Sequence, residues 1–178
     1  YGVSEPFTLD QTEAEVVLKR PFAQLNAGTH TFDWEYVTGY HGFDVKTSAA
    51  RVRGVANQLN LLDGTVSGLV DAQFTPAPLP SELLMADVDE NGSEEEYTYL
   101  FMSYILASDE ATYHSVDIHF LDEEGMSVMF EDADLANVKL QRNQQTDFVG
   151  QVLSDEGTLN PRVYKAERKV YHNVSEDT

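Results

Sequence analysis

Oxygen-bearing side chains recur at alternate positions in Asp87-Val88-Asp89-Glu90-Asn91-Gly92, with glycine where a sharp turn would fall. That is the donor set a hard cation such as calcium takes. Asp87, Asp89 and Asn91 are the candidate metal ligands, joined by one of Glu94, Glu95 and Glu96. The twelfth position of the loop is Thr98, where an EF-hand places a bidentate glutamate, and the flanks read as strand. The segment is therefore no EF-hand. A solvated acidic hairpin loop is the competing reading, because such short patterns recur by chance.

Phe32, Trp34 and Tyr36 alternate with Asp33, Glu35 and Val37, as on one face of a strand, with Tyr40 and Phe43 close by. Exposed, such a row stacks on sugar rings; buried, each ring fills a large volume of core. Trp34 and Tyr36 are the candidate glycan face. The five histidines are scattered, and His114 and His119 would face opposite sides of one strand. Gly64-Thr65-Val66-Ser67-Gly68 misses the spacing of a nucleophile elbow. There is no phosphate loop and no HExxH, and carboxylates are too many for any pair to stand out as an acid–base couple. The chain reads as a non-enzyme with no catalytic residue and, calcium apart, no cofactor. A hydrolase on a β scaffold is the remote alternative.

The charge narrows the partners. A net −20 over 178 residues repels phosphate backbones and anionic membranes, which argues against nucleic acid. Hydrophobic content of 42% is ordinary for a folded domain. The charge is also segregated: residues 54–138 hold 18 Asp and Glu and no Lys or Arg. Arg162, Lys165, Arg168 and Lys169 then stand against Glu167 alone. An acidic body with a basic end favours head-to-tail association of like molecules. The absence of cysteine excludes disulfides, thiolate metal sites and cysteine nucleophiles. No apolar run is long enough to span a membrane, and the start at Tyr1-Gly2-Val3 reads as a processed piece whose signal or anchor lies upstream.

A repeat of two dominates the chain. Val116, Ile118 and Phe120 alternate with Ser115, Asp117 and His119; Met126, Val128 and Phe130 repeat the pattern, as do Val138 and Leu140. Phe148 and Val152 continue it, with Gly150 between them as a bulge or close-packing point. Residues 97–107 are apolar on both faces and predict a central strand. Turns are expected at Asp63-Gly64, Asn91-Gly92 and Glu124-Gly125. The segment 75–80 reads as a proline-rich surface connector, and 81–86 as a short helical turn capped by Ser81. These signals predict an all-β antiparallel β-sandwich, with residues 1–160 as the domain and 161–178 as a terminal strand or tail.

A run of alternating residues from Ala14 to Lys19 meets Pro21, which predicts a strand broken at a sheet edge, with Asn26, Gly28 and Thr29 supplying turn chemistry. The string Leu18 to Asn26, LKRPFAQLN, resembles a strand signature of fimbrillin-type proteins, pilus subunits and related surface lipoproteins of Gram-negative anaerobes. Residues 97–107, YTYLFMSYILA, look like that family's strand in which Met is followed by a small residue, Tyr, a β-branched residue and Leu. Val138-Lys139-Leu140-Gln141-Arg142-Asn143, continuing through Thr146 and Gly150 to Ser154, is similar to its late signature. Departures fall at Lys139, Gln144 and Asp147, where the family often has proline, an aromatic residue and asparagine.

The resemblance implies a transthyretin-like Greek-key sandwich, the C-terminal domain of a two-domain subunit exported as an outer-membrane lipoprotein. In pilus-forming members it implies polymerisation with other fimbrial subunits by strand exchange. A donor strand must be extended, alternating and near a terminus. Tyr164, Ala166, Val170 and Val174 share one parity, interrupted by Arg168 and His172, and are the candidate donor residues. An ordinary last strand or a tail is the alternative for this segment. For the whole chain, a non-polymerising carbohydrate-binding surface lipoprotein, recognising host or bacterial glycans or proteins, is the rival reading.

Overall fold

The computed structural model describes residues 2–4, 10, 13, 16–88, 91–127, 133–153 and 164–169. Its strands are β1 (Gly2–Ser4), β2 (Val16–Leu18), β3 (Phe22–Thr29), β4 (Thr47–Leu59), β5 (Val66–Pro78), β6 (Leu83–Ala86), β7 (Glu95–Leu106), β8 (Thr112–Leu121), β9 (Ala133–Leu140), β10 (Gln144–Gly150) and β11 (Tyr164–Lys169). A five-residue helix, α1 (Thr31–Glu35), and a π-helical turn, Tyr36–Tyr40, follow β3. Two sheets stack as a sandwich: β11-β10-β3-β7-β6 and β5-β4-β8-β9, while β1 and β2 pair separately. The pairing is antiparallel except between β10 and β3, which run parallel.

The alternating pattern decides which side chains meet between the sheets. On β8, Val116, Ile118 and Phe120 are buried while Asp117 and His119 remain partly exposed. Ala50 and Val52 of β4 and Val138 and Leu140 of β9 point the same way. They pack against Ala23, Leu25 and Ala27 of β3, Phe101 and Ile105 of β7, and Phe148 of β10 in one continuous core. Each such large side chain stabilises the fold by about 1.5–3 kcal/mol on burial. β7 is central, as its two-sided apolar sequence requires: it lies between β3 and β6. Its Tyr97 joins Leu84, Ala86 and Val149 in a second cluster.

Turns form at Asp63-Gly64, at Asn91-Gly92 and at Glu124-Gly125, as expected. Four other local expectations are corrected. Residues 26–29 are not a turn: Asn26, Gly28 and Thr29 lie inside β3, which is interior to the sheet and not at its edge. Gly28 serves close approach instead, since a Cβ there would come within 2.9 Å of Leu84 Cδ2 and 3.1 Å of Tyr97 Cβ. Thr75 to Pro78 end β5 as strand, because prolines are tolerated on a sheet edge. Leu83 to Ala86 pair with β7 as β6, so no helical turn forms after Ser81. Finally, Phe32, Trp34 and Tyr36 do not lie on a strand but on α1 and the π turn, where a spacing of two scatters side chains around the axis. The 160/161 boundary and residues 128–130 lie outside the described residues.

Candidate functional site

Each candidate can be placed on this frame. In the acidic loop, Asp87 accepts backbone N–H bonds from Asn91 at 3.1 Å and from Gly92 at 2.9 Å, one on each carboxylate oxygen. Asn91 Oδ1 accepts the N–H of Ser93 at 2.7 Å. The Asn91 contact is an Asx turn, while the Asp87 carboxylate closes the loop by accepting from the backbone four and five residues on. Asp89 lies outside the described residues. Among the described residues no three His, Asp or Glu side chains are gathered to hold a metal.

The aromatic segment divides between core and surface. Trp34, Tyr36 and Phe43 pack against the core, while Phe32 and Tyr40 are exposed. Tyr40 is 80% accessible and stacks on Tyr36 with centroids 5.6 Å apart and planes 8° from parallel. His41 meets both rings edge-on. A flat aromatic platform therefore exists, but Tyr40 presents it, not Trp34.

Sequence reasoning missed a set of buried polar clamps, and they define the edge at which the candidate donor strand sits. Asn26 on β3 donates from Nδ2 to Asp147 Oδ1 on β10 at 2.6 Å. Gln145 donates to both oxygens of Asp147, at 2.7 and 2.8 Å. Tyr99 and Gln24 donate to Asn26 Oδ1, at 2.5 and 3.0 Å. Asn26, Gln145 and Asp147 are all buried, so these bonds replace water for a fully enclosed carboxylate. A second enclosed carboxylate, Asp33, accepts from the Thr29 hydroxyl and from the N–H of Leu153 at 2.8 Å. It fastens the chain beyond β10 to α1. At the other end of β10, Arg142 donates to the carbonyls of Ala107 (3.2 Å) and Gly64 and to Asp109 Oδ2 (3.1 Å). Asn26 and Arg142 lie in the first and third of the family-like strings, while Asp147 is one of the departures from the third, and no spacing in the sequence pairs them.

β10 is thus anchored at both ends, bonded along one edge to β3, and buried over six of its seven residues. Along its other edge lies β11, antiparallel, from Gln144 opposite Lys169 to Val149 opposite Tyr164. Among the described residues β11 has β10 as its one strand neighbour and forms the rim of the sheet. Of the candidate donor residues, Tyr164 and Ala166 fall on β11 and Val170 and Val174 outside the described residues. What β11 supplies to β10 is a row of backbone hydrogen bonds, an interaction indifferent to which copy of the chain donates the strand.

The outer face of the four-stranded sheet carries ion pairs, Arg51 with Asp71 at 2.6 Å and Arg53 with Asp117 at 2.5 Å. The Arg51 hydrogen bond, then the N–H of Gly54, hold the Asp71 carboxyl below its ordinary value of 3.8. Asp63 is lowered likewise by hydrogen bonds from Thr65. Both groups lie at the solvent surface. A depression lined by Lys139, Gln141 and Gln144 beside β10 is too shallow to enclose a water molecule.

Residues 1–166 match the model of a family described as a family of unknown function (DUF6562). No curated protein and no solved structure matches the chain.

Proposed function

We propose that this chain, which belongs to the DUF6562 family, is a fimbrillin-like subunit of the bacterial cell surface that assembles with other subunits by exchange of its terminal strand. The observation that carries the proposal is β11, a strand that pairs, among the described residues, with the anchored β10 alone and lies at the rim of the sheet. Released from its own sheet, β11 would leave the N–H and C=O groups along one edge of β10 unpaired. The equivalent strand of a neighbour restores them in the same register, and repetition from copy to copy makes an open, head-to-tail chain. Its basic residues, Arg168 and Lys169 opposite Gln145 and Gln144, bring positive charge to a body of net −20. No bond-making chemistry is involved.

The family-like strings add a structural argument. They fall on β3, on β7 and on β9 to β10, and β10, β3 and β7 are consecutive in one sheet. They therefore encode the acceptor sheet and its clamps. The chain ending at residue 161 tests the proposal: it should remain folded and monomeric where the intact subunit assembles. Equal assembly by the truncated chain would refute the donor role.

A second reading, glycan binding at the surface, draws on the exposed Tyr40 ring stacked on Tyr36. Glycan-array binding abolished by Tyr40→Ala at unchanged melting temperature would support it, and an array without signal would remove it.

A further inference from the structure

Asn91-Gly92 is the sole Asn-Gly pair in the chain. Such a pair can modify itself without an enzyme, because glycine has no Cβ to hinder attack of its backbone nitrogen on the asparagine side chain. Three features of the loop between β6 and β7 prepare that reaction. Asn91, Gly92 and Ser93 are exposed, so solvent reaches them. Gly92 has a φ of 87° and open space where a Cβ would stand. The N–H of Ser93 donates to Asn91 Oδ1 at 2.7 Å, which draws electrons from the amide carbon and steadies negative charge developing on that oxygen. One contact opposes these. The N–H of Gly92, the group that must lose its proton, donates to Asp87 Oδ2 at 2.9 Å.

We propose that Asn91 is a latent self-modification site whose cyclisation Asp87 holds back. In the reaction the Gly92 nitrogen gives its proton to hydroxide and bonds to Asn91 Cγ. The bond from Cγ to Nδ2 breaks, and ammonia leaves with a proton taken from water, which regenerates hydroxide. Water then opens the succinimide at either carbonyl, leaving aspartate or isoaspartate at position 91. Asp87 hinders the first step in two ways. Its negative charge lies against the nitrogen that must become anionic, so like charges meet. Its other oxygen accepts the N–H of Asn91 at 3.1 Å, and the two bonds together pin the peptide group between them. The Asp63-Gly64 pair, open to the same cyclisation, is held differently: the N–H of Gly64 donates to the Asn60 carbonyl at 2.8 Å. There a backbone carbonyl set by the turn does the holding, whereas Asn91 depends on one side chain. The product alters the fold locally, since isoaspartate lengthens the backbone that joins β6 to β7.

Peptide mapping with isoaspartate-specific methyl labelling tests this on the full chain aged in neutral buffer. Folded wild type should convert position 91 about ten- to hundredfold more slowly than the same chain in urea, the range a hydrogen bond to a charged group allows. Asp87→Ala, still folded by circular dichroism, should recover most of that difference. Glu96→Ala removes a charge of the same sign from an exposed position of the same hairpin and should leave the rate unchanged. Folded wild type that ages as fast as the unfolded chain overturns the proposal. So does an Asp87→Ala chain that ages no faster than wild type, or one that ages more slowly, which would make Asp87 the base of the reaction. Equal acceleration by Glu96→Ala would assign the effect to loop charge at large and overturn it as well.

Discussion

Asn26 and Asp147, 121 residues apart in sequence, are joined side chain to side chain at 2.6 Å where β3 and β10 run parallel. Both are wholly buried. The bond locks the register of the strand that accepts β11, because a slip of one residue would turn Asp147 toward the apolar core. Asn26→Ala removes one donor from an enclosed carboxylate, at an expected cost of about 2–3 kcal/mol in denaturant unfolding. A loss below roughly 0.5 kcal/mol would mean that water reaches Asp147, as at an ordinary surface position.

Arg142 and Asp109 form an asymmetric pair, with side chains 6% and 82% accessible. The weight of the contact therefore lies with the carbonyls of Ala107 and Gly64, which lose their partner if the guanidinium is removed. Arg142→Ala is expected to cost about 2–4 kcal/mol, and Asp109→Ala under about 1 kcal/mol. Equal losses from the two substitutions in chemical denaturation would contradict this assignment.

Trp34 packs on the core, so Trp34→Ala should lower stability by about 2–4 kcal/mol. Tyr40→Ala, at an exposed ring, should change it by less than about 1 kcal/mol. Thermal melts of the two variants separate the structural ring from the displayed one, and reversed magnitudes would refute the division.

Asp71 gives the fold a small acid dependence whose sign is fixed. Its carboxyl is lowered in the folded chain, chiefly by Arg51, so its contribution is fully present above the unfolded value of 3.8 and is lost as pH falls through the lower folded value. Wild type should melt above Asp71→Asn at neutral pH, and the gap should close as pH is taken below 3.8. A gap that persists unchanged into acid would show that the Arg51 pair is not its source.

Both oxygens of Asp87 accept backbone N–H groups, so the acidic loop is expected to hold its shape without calcium. Calorimetric titration with calcium should give no heat and no rise in melting temperature. A saturable heat lost in Asp87→Asn would restore the cation reading.

The sandwich was legible because its signal is local and repeated. Val116, Ile118 and Phe120 name a buried face without reference to the rest of the chain, and the paired turn residues mark where strands end. The misreadings share one cause, tertiary contacts overruling local chemistry. Asn26 and Thr29 look like turn formers but are held in a strand by partners on β10, 121 residues away. Gly28 looks like a turn glycine and is a packing glycine. The Phe32 to Tyr36 alternation imitates a strand, yet α1 forms there, with Asp33 drawn inward to Thr29 and Leu153. The clamps on β10 were invisible because buried polar partners lie far apart in sequence and carry no spacing to recognise.

Whether β11 is exchanged between copies, as proposed, can be read directly by cysteine pairing, since the chain has no cysteine of its own. Gln144 and Lys169 are opposed across β10 and β11, and directly opposed strand positions bring Cβ atoms within disulfide reach. A copy carrying Gln144→Cys and a second carrying Lys169→Cys should, when assembled together and oxidised, give a disulfide joining the two different chains. If assemblies form and no such mixed disulfide appears, while the doubly substituted chain closes efficiently upon itself, β11 stays at home and the strand-exchange account is wrong.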